Sequence, residues 1–298
     1  FDKIDINSRL RAALLFMLFV YSALLNMMML RGDIILNHAL LTMGGLSMTE
    51  TAWASYMALP TLVLVLLAVG LFLVVFRTEL SGWCVEQPTP PVQRALNRRE
   101  KLHLTLILLV VVLWALEGVH GISSTIITAV GTGAMFPAGL LKVPDLRTVN
   151  IRLLVFLTAA FSIGGVLKEA GIADILFQRL AEFFPSSFSL GYAALVLVIS
   201  MAMHMLLGSN VTTMSVVVPG LMTVGAGMVA GEVLLLLIYL GVCGHFVLPF
   251  HHVLLLLGEG DGCYTSRHML RFGLPLTVVT LFCGLFVYMG WWGLLGLL

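Results

Sequence analysis

Charge is what this sequence has least of. Only 10% of its 298 residues are charged, against roughly a quarter in a soluble domain. An imbalance of sign is missing as well: 16 Lys and Arg meet 15 Asp and Glu, for a net charge of +1. The first shortage excludes a water-soluble enzyme, and with 60% hydrophobic residues it also excludes a disordered chain. The second excludes a basic nucleic-acid binder. Cysteine is sparse, and Cys84, Cys243, Cys263 and Cys283 show no paired spacing. Neither a disulfide framework nor a cysteine zinc site fits them, and they read as small packing residues. No pattern of basic, apolar and small-residue regions follows Phe1, so a signal peptide is not indicated.

What is abundant is long apolar runs, with a mean hydropathy of +1.06. A helical span takes roughly 20 such residues, so the chain has room for about eight to ten passes. The runs are continuous rather than alternating, which excludes a membrane β-barrel. The expected class is an all-α integral membrane protein.

Apolar segments fall at 12–30, 55–76, 102–118, 120–141 and 153–169, then 188–207, 212–228, 232–257 (interrupted at Pro249) and 272–295. Residues 170–184 differ: Ile172, Ile175, Leu176, Leu180 and Phe183 recur at helical spacing while Asp174, Arg179 and Glu182 take the other face. That pattern predicts an amphipathic helix at the membrane interface. With 188–228 as a hairpin that returns the chain, thirteen of the sixteen Lys and Arg fall on one side. Only Arg31, Lys168 and Arg179 fall on the other. The positive-inside rule then puts the N-terminus inside and the C-terminus outside.

Two stretches superpose without gaps at an offset of 215, where Ala58-Leu59-Pro60 falls on Gly273-Leu274-Pro275. Each lies at the start of an apolar span and follows a polar break, Arg31-Gly32-Asp33 in one copy and Pro249-Phe250-His251-His252 in the other. The spans run in opposite directions, so the copies read as inverted repeats, an architecture of secondary transporters whose sites lie where the repeats meet. The organisation expected is 1–76 as the tail of a first repeat, 77–101 as a cytoplasmic linker, and 102–298 as a complete second repeat. Within the second repeat come scaffold helices (102–141), the interfacial helix (170–184), a re-entrant hairpin (188–228), a broken helix (232–257) and a final span (272–295). The partner of Ser209-Asn210 would lie upstream of Phe1, which predicts an N-terminally truncated chain.

Gly208-Ser209-Asn210-Val211-Thr212-Thr213 is the most informative polar cluster. Hydroxyls and an amide flanked by apolar arms are costly at membrane depth unless protein, water or ligand satisfies them. Gly208 permits a tight reversal, and Ser209 or Asn210 can cap the following arm. The free N–H groups of that arm then present a positive helix end suited to an oxyanion. A capped kink without a ligand is the plainer alternative.

At this point the chain resembles the divalent anion:sodium symporters of the ion transporter superfamily. Ser209-Asn210 is similar to the second of that family's Ser-Asn-Thr hairpin tips, with Val211 in place of Thr. Phe246-Val247-Leu248-Pro249 resembles its Phe-x-Leu-Pro, and Gly260, Gly262, Tyr264-Thr265, Met269-Leu270 and Gly273-Leu274-Pro275 follow in its order. The resemblance is close over 101–298 and looser over 12–76. It implies a homodimeric, elevator-type symporter, with motion of a hairpin-bearing unit against the 102–141 scaffold.

On the resemblance and the residues together, a small anion is expected between Ser209, Asn210, Val211, Thr212 and Thr213 on one side and Pro249, His251 and His252 on the other. Gly208, Asn210, Phe250 and His252 are the candidates for a cation. The chain departs from the family after Pro249-Phe250, where Thr-Pro-Pro-Asn is replaced by His251-His252-Val253-Leu254-Leu255. Sodium is the coupling ion by resemblance, and a histidine in a helix break makes protons the alternative. The same histidines can instead donate to the free carbonyls of the break. No organic cofactor and no nucleic acid is expected; the partners are the anion, lipid and a second copy, in the inner (cytoplasmic) membrane of a bacterium. The competing reading is a membrane-embedded metalloenzyme using His204, His245, His251 and His252, although no His-Glu-x-x-His motif is present. Lesser candidates are Asp33 with Arg31, the Glu117, His120, Ser123 and Ser124 group at a turn, and Lys168, Glu169 and Asp174 at an interface edge. Met27, Met28 and Met29 read as packing or lipid-facing residues.

Overall fold

The computed structural model describes residues 8–81, 95–148 and 179–298, together with 151, 155, 158, 159, 166, 169–171 and 175. Most of the expected span at 153–169, positions 172–174 and 176–178 of the interfacial helix, and 82–94 of the 77–101 linker lie outside the described residues, as do Cys84 and Lys168. Arg179 and Glu182 do share one face, joined by an exposed ion pair at 3.6 Å. Among the described residues the regular structure is helical, without strands.

The chain divides into two compact units, one of Phe1–Met48, Trp53–Trp83 and Leu157–Leu298, the other of Thr49–Ala52 and Cys84–Phe156. In the first unit α1 (Ser8–Leu25) buries Leu10, Ala13, Met17, Val20 and Leu24, a stripe at helical spacing, and leaves Leu18 on its outer face. After a 3-10 turn (Asn26–Met28), α2 (Ile34–Gly44) begins at Asp33, whose carboxylate accepts from the Leu36 N–H at 3.1 Å, and stops at Gly45 in the left-handed region. Helix α3 (Glu50–Val75) and the short α4 (Arg77–Leu80) complete this half.

The second unit holds α5 (Arg98–Ala115), α6 (Glu117–His120) and α7 (Ser124–Met135). Asn97 and Glu100 form a capping box at the start of α5. Expected as a span over 120–141, the second of these segments is shorter: α7 is 12 residues long, too few to cross a bilayer alone. The polar group at the preceding turn is structural, since His120 bridges the Leu113 carbonyl (2.8 Å) and the Ile122 N–H (3.0 Å), and Ser123 caps α7.

The first unit resumes with α8 (Leu190–Leu207) and α9 (Asn210–Val224). Then follow α10 (Gly231–Cys243), a 3-10 turn (Pro249–His251), α11 (Val253–Gly260) and α12 (Ser266–Phe282). A π-helical stretch (Cys283–Tyr288) leads from α12 into α13 (Met289–Leu294). By length and composition Ser8–Met28, Glu50–Val75, Leu190–Leu207 and Ser266–Leu294 suffice to cross a membrane.

The order α1, break, α2 and α3 is the same as the order α10, break, α11 and α12. Packing is reciprocal, with α1 against α11 and α2 against α10. Pro60 and Pro275 sit well inside their helices rather than at the start of a span. A proline within a helix leaves the carbonyl four residues earlier without its donor. For Pro60 that carbonyl is Tyr56, and the Trp292 indole N–H takes it at 3.0 Å, while Trp291 donates to Ser55. The Thr61 and Tyr288 hydroxyls, 2.8 Å apart, add a buried link between α3 and the end of the π-helical stretch.

Break positions also differ from expectation. The helix read as 232–257 ends at Cys243, before Gly244 rather than at Pro249, which instead opens the 3-10 turn. Polar side chains settle the exposed backbone. In the first break Asn37 donates to the carbonyls of Met29 and Leu30, both at 3.1 Å, and accepts from the Tyr239 hydroxyl at 2.5 Å. Trp53 donates to the Met27 carbonyl at 3.0 Å. Asn37→Ala therefore strands several buried polar groups at once and should cost about 3 kcal/mol, with Tyr239→Phe costing about 1 kcal/mol. Thermal midpoints of the purified variants in detergent, ranked wild type, Tyr239→Phe, Asn37→Ala, would bear this out.

Candidate functional site at the hairpin tip and the second break

A two-residue turn joins α8 to α9. Gly208 at φ +71° ends α8 and its N–H donates to the His204 carbonyl at 2.8 Å; Ser209 then occupies the N-cap position of α9. The arms run antiparallel, because a Cβ on Gly225 near the end of α9 would meet the Tyr192 hydroxyl near the start of α8. The expected reversal is present.

The expected cap is not. Ser209 makes no side-chain cap hydrogen bond, and the first helical bond of α9 is donated by the Thr213 N–H to the Ser209 carbonyl at 2.8 Å. The N–H groups of Asn210, Val211 and Thr212 precede that bond and belong to the open first turn. Asn210 and Thr213 are buried, yet the Asn210 Oδ1 and the Thr213 Oγ1 have no hydrogen-bond partner within the chain. Val211 is buried as well, whereas Thr212 and Ser209 are half-buried. The tip thus combines unpaired backbone donors, the positive end of a 15-residue helix and two bare side-chain oxygens.

The second break packs against this tip. Phe250, exposed at its outer side, lies so close to Gly208 that a Cβ there would stand 2.8 Å from its ring. The His204 Nε2–H donates to the His251 carbonyl at 3.2 Å. His251 and His252 are buried and act on the backbone in the opposite sense from the one expected of them. Rather than donating to carbonyls they accept from N–H groups: His251 Nδ1 from Val247 and Leu248 (3.2 and 3.4 Å), and His252 Nδ1 from Leu254 (3.3 Å), capping α11. The free carbonyl of Gly244 goes to the Thr280 hydroxyl at 2.7 Å. On the far side a Cβ on Gly273 would fall 1.8 Å from the Phe246 carbonyl, so α12 passes with its backbone against the break.

The structure therefore brings Gly208 to Thr213 and Pro249 to His252 into one locale. Asp33 caps α2, and its carboxylate lies within electrostatic range of His252. Sequence reading passed over Asn37 and Tyr239, whose pairing across 202 positions has no local signal. Three of the four histidines proposed for a metalloenzyme, His204, His245 and His251, converge; His252 does not join them.

Residues 3–298 match the family described as the sodium:sulfate symporter transmembrane region. The chain belongs to that family. No match is found among curated proteins. The sodium:sulfate symporter match spans both halves, as does the resemblance read closely over 101–298 and more loosely over 12–76, and agrees with it in kind. Membership makes the protein an integral membrane transporter of the sodium-coupled anion class, a class of transporters and not of enzymes.

The symporter's tip depends on Gly208 twice, for its left-handed backbone and for the room it leaves Phe250. Gly208→Ala should cost about 1–2 kcal/mol from backbone strain, plus the displacement of the ring. Adding Phe250→Ala should return the second part and leave the first, a partial recovery of the thermal midpoint.

Proposed function

We propose that this symporter carries a small divalent oxyanion, sulfate or a dicarboxylate, held between the tip of the α8–α9 hairpin and the second break. The observation that carries the reading is the start of α9, where uncapped N–H groups stand beside two buried oxygens that have no partner in the chain. A helix N-terminus holds an oxyanion through backbone donors without a buried Lys or Arg. Asn210 and Ser209 supply the side-chain contacts, Val211, Thr212 and Thr213 line the tip, and Pro249, His251 and His252 shape the opposite wall. Sodium is the coupling ion favoured by the family. Oxygens suit it, and the Asn210 Oδ1 with the backbone of Gly208, Phe250 and His252 is the proposed donor set.

The hairpin is re-entrant in this proposal, and access alternates by movement of the hairpin-bearing elements in a homodimer of the elevator type. The protein sits in a bacterial inner membrane with its N-terminus inside and its C-terminus outside. Residues 1–76 and 102–298 act as two inverted repeats, for which the reciprocal packing of α1 on α11 and α2 on α10 is the support.

Uptake of labelled sulfate and of labelled succinate into vesicles carrying the purified protein tests the reading. An inward sodium gradient should drive one of them strongly, with a proton gradient alone ineffective. Asn210→Ala should lower uptake by about tenfold or more, the loss of one hydrogen bond to a charged group, at a near-normal thermal midpoint. Uptake that ignores Asn210, or that neither substrate shows under any gradient, would rule the proposal out. Uptake driven by protons in place of sodium would keep the anion site and replace the coupling ion.

A further inference from the structure

Each of three buried imidazoles at the second break has one ring nitrogen with no hydrogen-bond partner within the chain: His204 Nδ1, His245 Nδ1 and His251 Nε2. The residues come from separate places in the fold, with His204 on the last turn of α8, His245 just past the end of α10 and His251 in the 3-10 turn. They are 0%, 2% and 0% exposed. Ring centroids lie 4.4 Å apart for His204 and His251, 5.4 Å for His245 and His251, and 5.7 Å for His204 and His245. One ligand nitrogen from each ring lies within 4.8 Å of the other two. Leaving a single buried polar group unpaired costs about 1–3 kcal/mol. Three such groups on rings packed this closely concentrate that cost in one place.

We infer that His204, His245 and His251 form a binding site for a zinc-class divalent transition ion. The ligand set decides the class. Neutral imidazoles alone suit Zn2+, Cu2+ or Ni2+, whereas Na+, Mg2+ and Ca2+ take oxygen. At zinc's usual distance of about 2.0–2.1 Å, three nitrogens of a tetrahedral shell stand roughly 3.4 Å apart, so each ring moves inward by about 0.8 Å at most.

The surroundings fit as well. A metal-bound histidine commonly donates its other N–H to a backbone carbonyl. His204 does so already, through Nε2 to the His251 carbonyl, which leaves Nδ1 as the bare lone pair. His251 is the ligand that adjusts. Its Nδ1 accepts two long contacts from Val247 and Leu248, so the ring proton sits on Nε2, and metal binding there moves that proton to Nδ1. The ring remains neutral, and the two contacts given up are the weak ones at 3.2 and 3.4 Å. A dication on three neutral ligands keeps its charge in an apolar interior, so its fourth position calls for an anion such as hydroxide or chloride.

The inference stands apart from the transport reading, because metal content is measured on the purified chain without substrate. The protein in detergent, stripped with a chelator and then offered Zn2+ alone, should retain about one ion per chain after desalting. Co2+ in its place should give the intense visible bands of a four-coordinate centre. His204→Ala or His245→Ala should weaken Zn2+ binding by about 100-fold or more, beyond the roughly 10–100-fold typical of an outer partner. His103→Ala, an exposed histidine on α5, should leave it unchanged. Should a ligand variant fail to fold, the wild-type cobalt spectrum still decides. Weak octahedral bands, sub-stoichiometric Zn2+, or unaltered binding by folded His204→Ala protein would overturn the site.

Discussion

A helix broken inside an apolar interior exposes backbone donors and acceptors that water cannot reach, and everything at the centre of this fold answers to that constraint. Between Leu25 and Ile34, and again between Cys243 and Val253, the chain leaves helical geometry. Each unpaired carbonyl or N–H in such a stretch costs as much as the hydrogen bond it lacks. Polar side chains therefore gather at the breaks because they are needed there, and the polarity of the interior follows from the geometry of the backbone.

The two breaks meet the constraint differently. Asn37 serves the first one with an amide, which donates and accepts at the same time; its carbonyl oxygen is closed by Tyr239, and Trp53 takes a further carbonyl. Little is left over. Imidazoles serve the second break, and a ring that satisfies the backbone with one nitrogen presents its other nitrogen elsewhere. His251 settles two N–H groups and still holds out Nε2; His204 settles a carbonyl and holds out Nδ1. Unspent valence thus accumulates on the α8–α9 side, beside a helix start that also lacks a side-chain cap.

Much of this fold is legible in the sequence, because its strongest signals are local. Continuous apolar runs mark α1, α3, α8 and α12, and Gly208-Ser209 marks the reversal between α8 and α9. The offset of 215 is visible for the same reason, since Pro60 and Pro275 stand out against leucine-rich surroundings. Boundaries are less legible. Proline attracts the eye at position 249, yet α10 stops at Gly244, where a Cβ would stand 2.8 Å from the Leu240 carbonyl and 2.7 Å from the Thr280 side chain. That is a tertiary restriction with no sequence period. The donor and acceptor roles of His251 and His252 are equally hidden, because an imidazole can play either, and only the position of Val247, Leu248 and Leu254 decides. Of the site residues, the sequence announces Ser209 and Asn210 by their polarity. It gives no hint that His204, forty-seven positions before His251, will donate to that residue's carbonyl.

The reciprocal packing explains why the second break can carry unsatisfied groups without unravelling. Helix α10 is buried from Val233 through Cys243, and the chain on either side of the break is packed by α2 and α1. Asn37 fixes it through Tyr239 before the break, and α1 holds α11 after it. At the far end Trp292 and Tyr288 tie the last helices to α3 through a carbonyl that Pro60 has freed and a hydroxyl beside it. The first break, with its carbonyls taken by Asn37 and Trp53, holds α10 and α11 from the other side while the second keeps bare nitrogens and bare N–H groups. Binding chemistry needs both conditions, because unpaired groups in a yielding scaffold would collapse onto one another and satisfy themselves.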